Sequence, residues 1–255
     1  MEEFRFIDLE THSAFENMAI DEAVMLAMKE DQLPPTLRLY RWNPSAVSIG
    51  TFQGMRDEVD VEFCESSGID YIRRITGGGA VYHDYEGEVT YSIIIPRGHR
   101  LAPADILESY RLLCGGIVSA LEYLGINGEF KPINDVDVGG KKVSGNAMTR
   151  RHGCTLQHGT TLLDLDVNLM FTILKVPQEK ISDKMIADVK ERVTSIRDIL
   201  ERDVKIVELQ EALKHGFSSA LNIELIPGNL TDNELETAVR LATEKYSSNE
   251  WNFSR

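Results

Sequence analysis

The order of patterns along the chain constrains its fold more than any single residue does. Alternating, β-branched stretches crowd into the first two thirds, and helical periodicities fill the last third. That order points to an α+β chain with a mixed, mostly antiparallel sheet flanked by helices, not to alternating βαβ units. Strands are expected at Phe4–Asp8, Thr36–Arg41, Ala46–Phe52, Asp70–Arg74 and Val89–Pro96, with Thr36–Arg41 and Ala46–Phe52 paired as a hairpin across Asn43-Pro44-Ser45. A second β-rich block covers Glu129–Pro132, Asp135–Val138, Lys142–Thr149 and Thr155–Leu163, and its Gly139-Gly140 pair marks a tight hairpin. Helices are expected at Ala14–Lys29, Asp60–Ser67, Ala102–Leu124, Val167–Leu174, Thr194–Leu200, Glu208–Leu221 and Asn233–Tyr246, with a strand at Asn222–Ile226. No repeat or linker interrupts the chain, so residues 1–255 read as one domain with a helical part from about residue 176.

Charge and cysteine usage narrow the function classes. Lys and Arg number 27 against 41 Asp and Glu, a net charge of −14. So acidic a surface repels phosphate backbones and anionic lipid, which argues against nucleic acid and membranes as partners. No apolar run reaches the roughly 18 residues of a membrane span, and MEEFRFIDLE does not read as a secretory signal, so a cytoplasmic protein is expected. Three widely spaced cysteines, Cys64, Cys114 and Cys154, form neither a disulfide framework nor a CxxC metal site.

Two segments carry chemistry. In Tyr71–Ser92, the glycines Gly77, Gly78 and Gly79 follow a strand, so backbone N–H groups can face a ligand at close range. Arg73 and Arg74 precede them and His83-Asp84 follow, which suits a phosphate; the spacing is neither Rossmann nor P-loop. In Asn134–Gly159, residues 139–152 hold Lys141, Lys142, Arg150 and Arg151 and no acidic residue. Adjacent lysines on an extended backbone point to opposite faces, so only one of Lys141 and Lys142 can face a site. Asp135, beside Asn134, suits Mg²⁺ or an ammonium group, although an isolated turn carboxylate is the simpler role. His83, Asp84 and His158 make no compact zinc pattern. Cys154 and His158 share a strand face, but four residues of strand separate them by roughly 13 Å, too far for a thiolate–imidazole pair.

These segments resemble the lipoate–protein ligase family of biotin/lipoate cofactor transferases. The likeness rests on RRITGGGAVYHD (Arg73–Asp84), GKKVSGNAMTR (Gly140–Arg150), LQHGTTLLDLD (Leu156–Asp166), FENMAIDEAV and YSSNEWN, and covers the whole chain. It implies a core like those of class II aminoacyl-tRNA synthetases and biotin ligases. It implies that lipoate and ATP, with Mg²⁺, form lipoyl-AMP, and that a lysine of an acceptor lipoyl domain then takes the acyl group. The acceptors implied are 2-oxoacid dehydrogenase E2 subunits or the H protein of glycine cleavage. By the resemblance, Lys142 is the essential lysine, and Arg73, Arg74, Thr76, Gly77, Gly78, Gly79 and Val81 form the phosphate and acyl loop. His83, Asn134, Asp135 (a candidate Mg²⁺ ligand), Gly145, Ala147, His158 and Gly159 complete the adenylate pocket.

Two departures stand out. Tyr85-Glu86-Gly87-Glu88 replaces the family's frequent Gly-Asn, and the sequence ends just past YSSNEWN. The ending is similar to an archaeal-type split ligase, which implies a small accessory subunit for lipoate activation. The alternative is an octanoyltransferase or lipoyl amidotransferase, which moves acyl groups without ATP through a cysteine. In one branch that cysteine precedes the lysine hairpin, where this chain reads EFKPINDVDV. A non-catalytic lipoate-binding subunit and a biotin ligase are the remaining readings.

Overall fold

The computed structural model describes residues 1–31, 33–175 and 191–255. In chain order the elements are β1 (Glu2–His12), α1 (Ala14–Asp31), β2 (Thr36–Trp42), β3 (Ala46–Ile49), α2 (Met55–Glu58), α3 (Val61–Ser67), β4 (Asp70–Arg73), β5 (Val81–His83), β6 (Glu88–Pro96) and α4 (Ile106–Tyr123). They continue with β7 (Glu129–Lys131), β8 (Asp135–Val138), β9 (Lys141–Arg151), β10 (Cys154–Leu162), α5 (Val167–Ile173), α6 (Ile196–Leu200), α7 (Ile206–Leu221), β11 (Ile223–Pro227), α8 (Asp232–Leu241), a π turn (Ala242–Tyr246) and α9 (Asn249–Asn252). The expected start of the helical C-terminal part, residues 176–190, lies outside the described residues.

An eight-stranded sheet runs β11-β1-β2-β6-β10-β9-β8-β7. Among the described residues β1 pairs in parallel with β11 and β2, and the other neighbours are antiparallel. The architecture is therefore the mixed α+β one expected. The predicted hairpin is not formed: β2 lies between β1 and β6, so both its edges are already paired. β3 instead joins a second sheet, β4-β3-β5, whose short strand β5 had no clear pattern in the sequence.

Burial explains the layers. Helices α4 and α7 cover one face of the large sheet through Leu113, Ile117, Leu213 and Phe217. A Cβ on Gly216 would stand 2.3 Å from the Gly116 carbonyl oxygen, so glycine lets these helices approach this closely. The opposite face packs α1, α8 and the π turn around Met18, Met25, Trp42 and Tyr246. The small sheet has its own core of Val47, Ile49, Cys64 and Tyr82. Helix ends follow the local chemistry: Asp105 caps α4 by accepting from the Glu108 N–H, and Thr231 and Glu234 form a capping box on α8. No helix among the described residues is long and apolar enough to cross a membrane.

Candidate active site

Between the two sheets lies a cavity of about 170 Å³. An apolar cavity of about 150 Å³ is enough to hold benzene, so this space suits a short apolar chain. Met18, Trp42, Ala80, Val81 and Ala147 supply its apolar wall. Of the residues expected at a site, Arg74, Gly78, Gly79, Val81, His83, Asn134, Lys142, Gly145, Ala147, His158 and Gly159 border the cavity. Arg73, Thr76, Gly77 and Asp135 do not, but three of them touch residues that do.

The two arginines act as struts. Arg74 spends all five guanidinium donors on the protein. Nε donates to Thr76 Oγ1 (3.1 Å), Nη1 to the Ser48 carbonyl and Oγ (both 3.0 Å), and Nη2 to the carbonyls of Gly77 (2.9 Å) and Gly79 (2.7 Å). Burial lowers its guanidinium to about 10, so it stays charged at neutral pH. This grip shapes the glycine loop, where Gly78 has φ +100° and passes so close to Gly50 that a Cβ there would lie 2.1 Å from the Gly78 carbonyl oxygen. Arg73 points the other way: it donates to the carbonyls of Gln53, Trp251 and Asn252, tying the C-terminal helix α9 to the small sheet. Arg150 is likewise bound to the carbonyls of Pro103 and Ala104 and borders a different concavity with Arg97 and Arg151. The two basic stretches, Arg73/Arg74 and Lys141–Arg151, therefore do not converge on one site; of the cations in the second, only Lys142 borders the cavity.

Lys142 follows the Gly139-Gly140 turn on β9, where its side chain is 38% exposed and its Nζ lies 2.8 Å from Asp135 Oδ1. Lys141, on the opposite face of the strand, is exposed. Asp135 is thus placed on an ammonium group, and among the described residues no three His, Cys, Asp or Glu side chains cluster as a metal site. Asn134 and Asn146 are bonded to each other's backbone, and Tyr91 donates to Asn146 Oδ1 at 2.7 Å.

Two hydroxyl–imidazole–carboxylate rows meet at Arg74. In one, Ser48 Oγ lies 2.8 Å from His83 Nε2, and His83 Nδ1 lies 2.7 Å from Glu88 Oε1. The His83 ring stacks on Trp42, with centroids 4.1 Å apart and planes 15° apart. In the other, Thr76 Oγ1 lies 2.8 Å from His158 Nε2, and His158 Nδ1 lies 3.2 Å from Asp21 Oδ2. Each hydroxyl accepts from Arg74, and each Nδ1 faces a carboxylate that can only accept, so Nδ1 carries the hydrogen. In the neutral ring of that tautomer, Nε2 accepts the hydroxyl hydrogen.

The Asp21 carboxylate also binds Arg38 (3.2 Å), Ser92 (2.7 Å) and Tyr40 (3.3 Å). Burial by itself raises the Asp21 carboxyl, but His158, Arg38 and Ser92 outweigh it and hold the group below its ordinary value. Burial pushes the His158 imidazole below its ordinary value, which favours its neutral form.

Ser48, Asn146 and the Asp21–Arg38 pair were not named as site residues, and Glu88 entered only as part of a departure from the family pattern. Only Asn17 and Asp21 left a signal, polar residues four apart on the apolar stripe of α1. Ser48 sits in the otherwise apolar AVSI strand and left none.

The cysteines stand apart from this site. Cys64, Cys114 and Cys154 are all buried, and none borders the cavity. Burial drives the Cys64 thiol up to about 11 and the Cys114 thiol up to about 12, and raises Cys154 as well.

Residues 13–218 match the Lipoyl protein ligase A/B catalytic domain, and the chain belongs to that family. Octanoyltransferases LipM of Brevibacillus brevis and Bacillus subtilis are each 36% identical to it; the alignments cover all of this chain and 100% and 99% of those proteins. Among solved structures, a bi-partite lipoate protein ligase of Thermoplasma acidophilum superposes with a TM-score of 0.87 at 34% identity, covering 99% of this chain and 96% of that one. A lipoate-protein ligase A bound with ATP gives 0.82 at 31% identity, covering 98% of each chain.

These findings correct part of the expectation. The family stands, but the full-length LipM relatives are transferases, which overturns the reading as an ATP-dependent, AMP-forming ligase of the archaeal split type. ATP, Mg²⁺, lipoyl-AMP and the accessory subunit were inferred from that activity and fall with it. The physical reason is that a glycine loop and a lysine beside an apolar pocket can hold an acyl group whatever donates it, so those motifs do not report the donor.

Proposed function

We propose that this chain is an octanoyltransferase: it moves an octanoyl group from a carrier thioester to a lysine amine of a lipoyl-domain protein, without ATP. The observation that carries this reading is the end-to-end likeness to LipM octanoyltransferases. The apolar cavity with one half-exposed lysine at its border supports it. In this reading the acyl chain lies along Met18, Trp42, Val81 and Ala147 with its carbonyl toward Lys142. A fixed ammonium there stabilises the oxyanion that develops when the carbonyl is attacked. Asp135 positions that ammonium, and Gly78 and Gly79 allow close backbone approach. The acceptors that suit the chemistry are E2 lipoyl domains and the H protein.

The test is to mix the purified chain with octanoyl-acyl carrier protein and an apo lipoyl domain, with and without ATP. The expected result is an acceptor octanoylated at equal rates in both. Modification only from free acid plus ATP would refute the proposal.

A further inference from the structure

The octanoyltransfer reading brings two proteins to one cavity, a carrier that delivers the acyl chain and an acceptor that supplies the amine. The cavity border includes the exposed Gly78 and Gly79 and the half-exposed Lys142, and two large apolar side chains flank it. Phe52 is 69% exposed and Ile133 is 66% exposed. Apolar surface left in water beside a site marks a place where another molecule is held. Other exposed apolar side chains, such as Val207 and Val239, lie on α7 and α8, which contribute nothing to the cavity.

We propose that Phe52 and Ile133 are docking contacts for the acceptor domain and not for the carrier, which rests on the octanoyltransfer reading. Both side chains stand on turns that the fold holds rigidly. In the turn at 50–54, the Thr51 N–H donates to the Thr76 carbonyl at 2.9 Å and the Gly50 N–H donates to Gln53 Oε1 at 2.9 Å. Arg73 donates to the carbonyls of Thr51 (3.2 Å) and Gln53 (2.6 Å). This sets Phe52 beside the glycine loop, where a Cβ on Gly77 would lie 4.0 Å from Phe52 Cε2. Ile133 precedes Asn134, which borders the cavity and whose carbonyl accepts from the Asn146 N–H (3.1 Å) and Nδ2 (2.9 Å). A contact held in place beforehand loses little entropy on binding. Lys131 and Lys141 are exposed at the same β7–β9 end, so in a chain of net charge −14 this edge favours an acceptor face that is acidic around its lysine.

Reach decides between the two partners. At the roughly 3.6 Å that an extended chain gains every three bonds, a lysine side chain spans about 6 Å and a carrier's phosphopantetheine arm about 15 Å. For its amine to meet a carbonyl held near Lys142, the acceptor must bring its own backbone onto the rim. The carrier, on its longer arm, delivers the same carbonyl with its body clear of the rim. Acceptor docking therefore depends on Phe52 and Ile133, and carrier docking does not.

The test uses the whole chain with Phe52→Ser, Ile133→Ser and the double substitution, all at exposed positions. Octanoyl transfer from octanoyl-acyl carrier protein is measured to an apo lipoyl domain and, in parallel, to hydroxylamine, a nucleophile with no body to dock. Each single variant should raise KM for the lipoyl domain by roughly tenfold, and the double variant should raise it further. The kcat, the KM for the carrier and the rate to hydroxylamine should stay unchanged, and Phe52→Leu should restore most of the lost affinity. An unchanged KM for the lipoyl domain in the double variant, or a KM for the carrier that rises by as much, would overturn the inference. Titrating a labelled apo lipoyl domain with the chain by NMR, without donor, reports the rim alone. A Kd raised in the double variant supports the rim even where the unmodified chain takes nothing from the carrier, the outcome that defeats octanoyltransfer. An unchanged Kd in a chain that does transfer defeats the rim and leaves octanoyltransfer standing.

Discussion

The two hydroxyl–imidazole–carboxylate rows have the same bond order and share one arginine, yet their surroundings differ. The Ser48–His83–Glu88 row ends on a cavity wall, and Glu88 Oε2 is buried with no partner. In the Thr76–His158–Asp21 row, His158 borders the cavity but Thr76 does not, and Asp21 is held by Arg38, Tyr40 and Ser92. A proton can be exchanged where substrate can approach; where every lone pair is already taken, the same bonds make a brace. One row therefore opens on the pocket, and the other fixes the register of α1, β2, β6 and β10 around it.

Breaking each row separates these roles. Asp21→Asn should act on the fold, costing about 3–5 kcal/mol in urea unfolding because the buried Arg38 loses its carboxylate at 3.2 Å and keeps only Glu10 at 3.9 Å. Glu88→Gln should cost less than Asp21→Asn in the same titration, because Glu88 holds His83 and Thr90 and no buried arginine. Lys142→Ala, at a half-exposed position, should cost roughly 10²–10³-fold in kcat with an unchanged unfolding midpoint, measured by single-turnover transfer and urea titration.

The pH dependence sharpens the comparison further. Native His158 lies below its ordinary 6.5 because of burial, so as pH falls through that value the unfolded chain gains a proton that the native chain resists. Its contribution to stability is complete above about pH 6.5 and is lost as pH falls toward the native value. Asp21, also lowered, has its contribution above its ordinary 3.8 and loses it at still lower pH. His158→Gln should therefore flatten the decline in urea midpoint between about pH 7 and 5. The smallest effect belongs to Cys154→Ser, which should leave the transfer rate unchanged, because the thiol is buried and does not border the cavity.

Some of this was readable before any fold was known. The Gly139-Gly140 turn and the strand period left one lysine facing the site, and Lys142 is the one at the cavity. The glycine run marked a close backbone approach, and Gly78 passes Gly50 where no Cβ would fit. What Arg73 and Arg74 bind was not readable: neighbouring carbonyls take most of their donors, and sequence does not show what a guanidinium will find in the folded chain. The β2–β3 hairpin failed for a similar reason: the turn was marked, but β1 and β6 occupy both edges of β2.

Local sequence thus determined the strands-then-helices order, most helix ends and the two segments that line the cavity, because turn chemistry, capping and periodicity act over a few residues. Tertiary structure alone decided that Ser48, His83 and Glu88, on three strands of two sheets, form one row on the cavity wall. It also decided that the three thiols lie in the core. Side-chain donors and acceptors gain their meaning from what burial brings within hydrogen-bond distance, and in this chain those partners come from elements far apart in sequence.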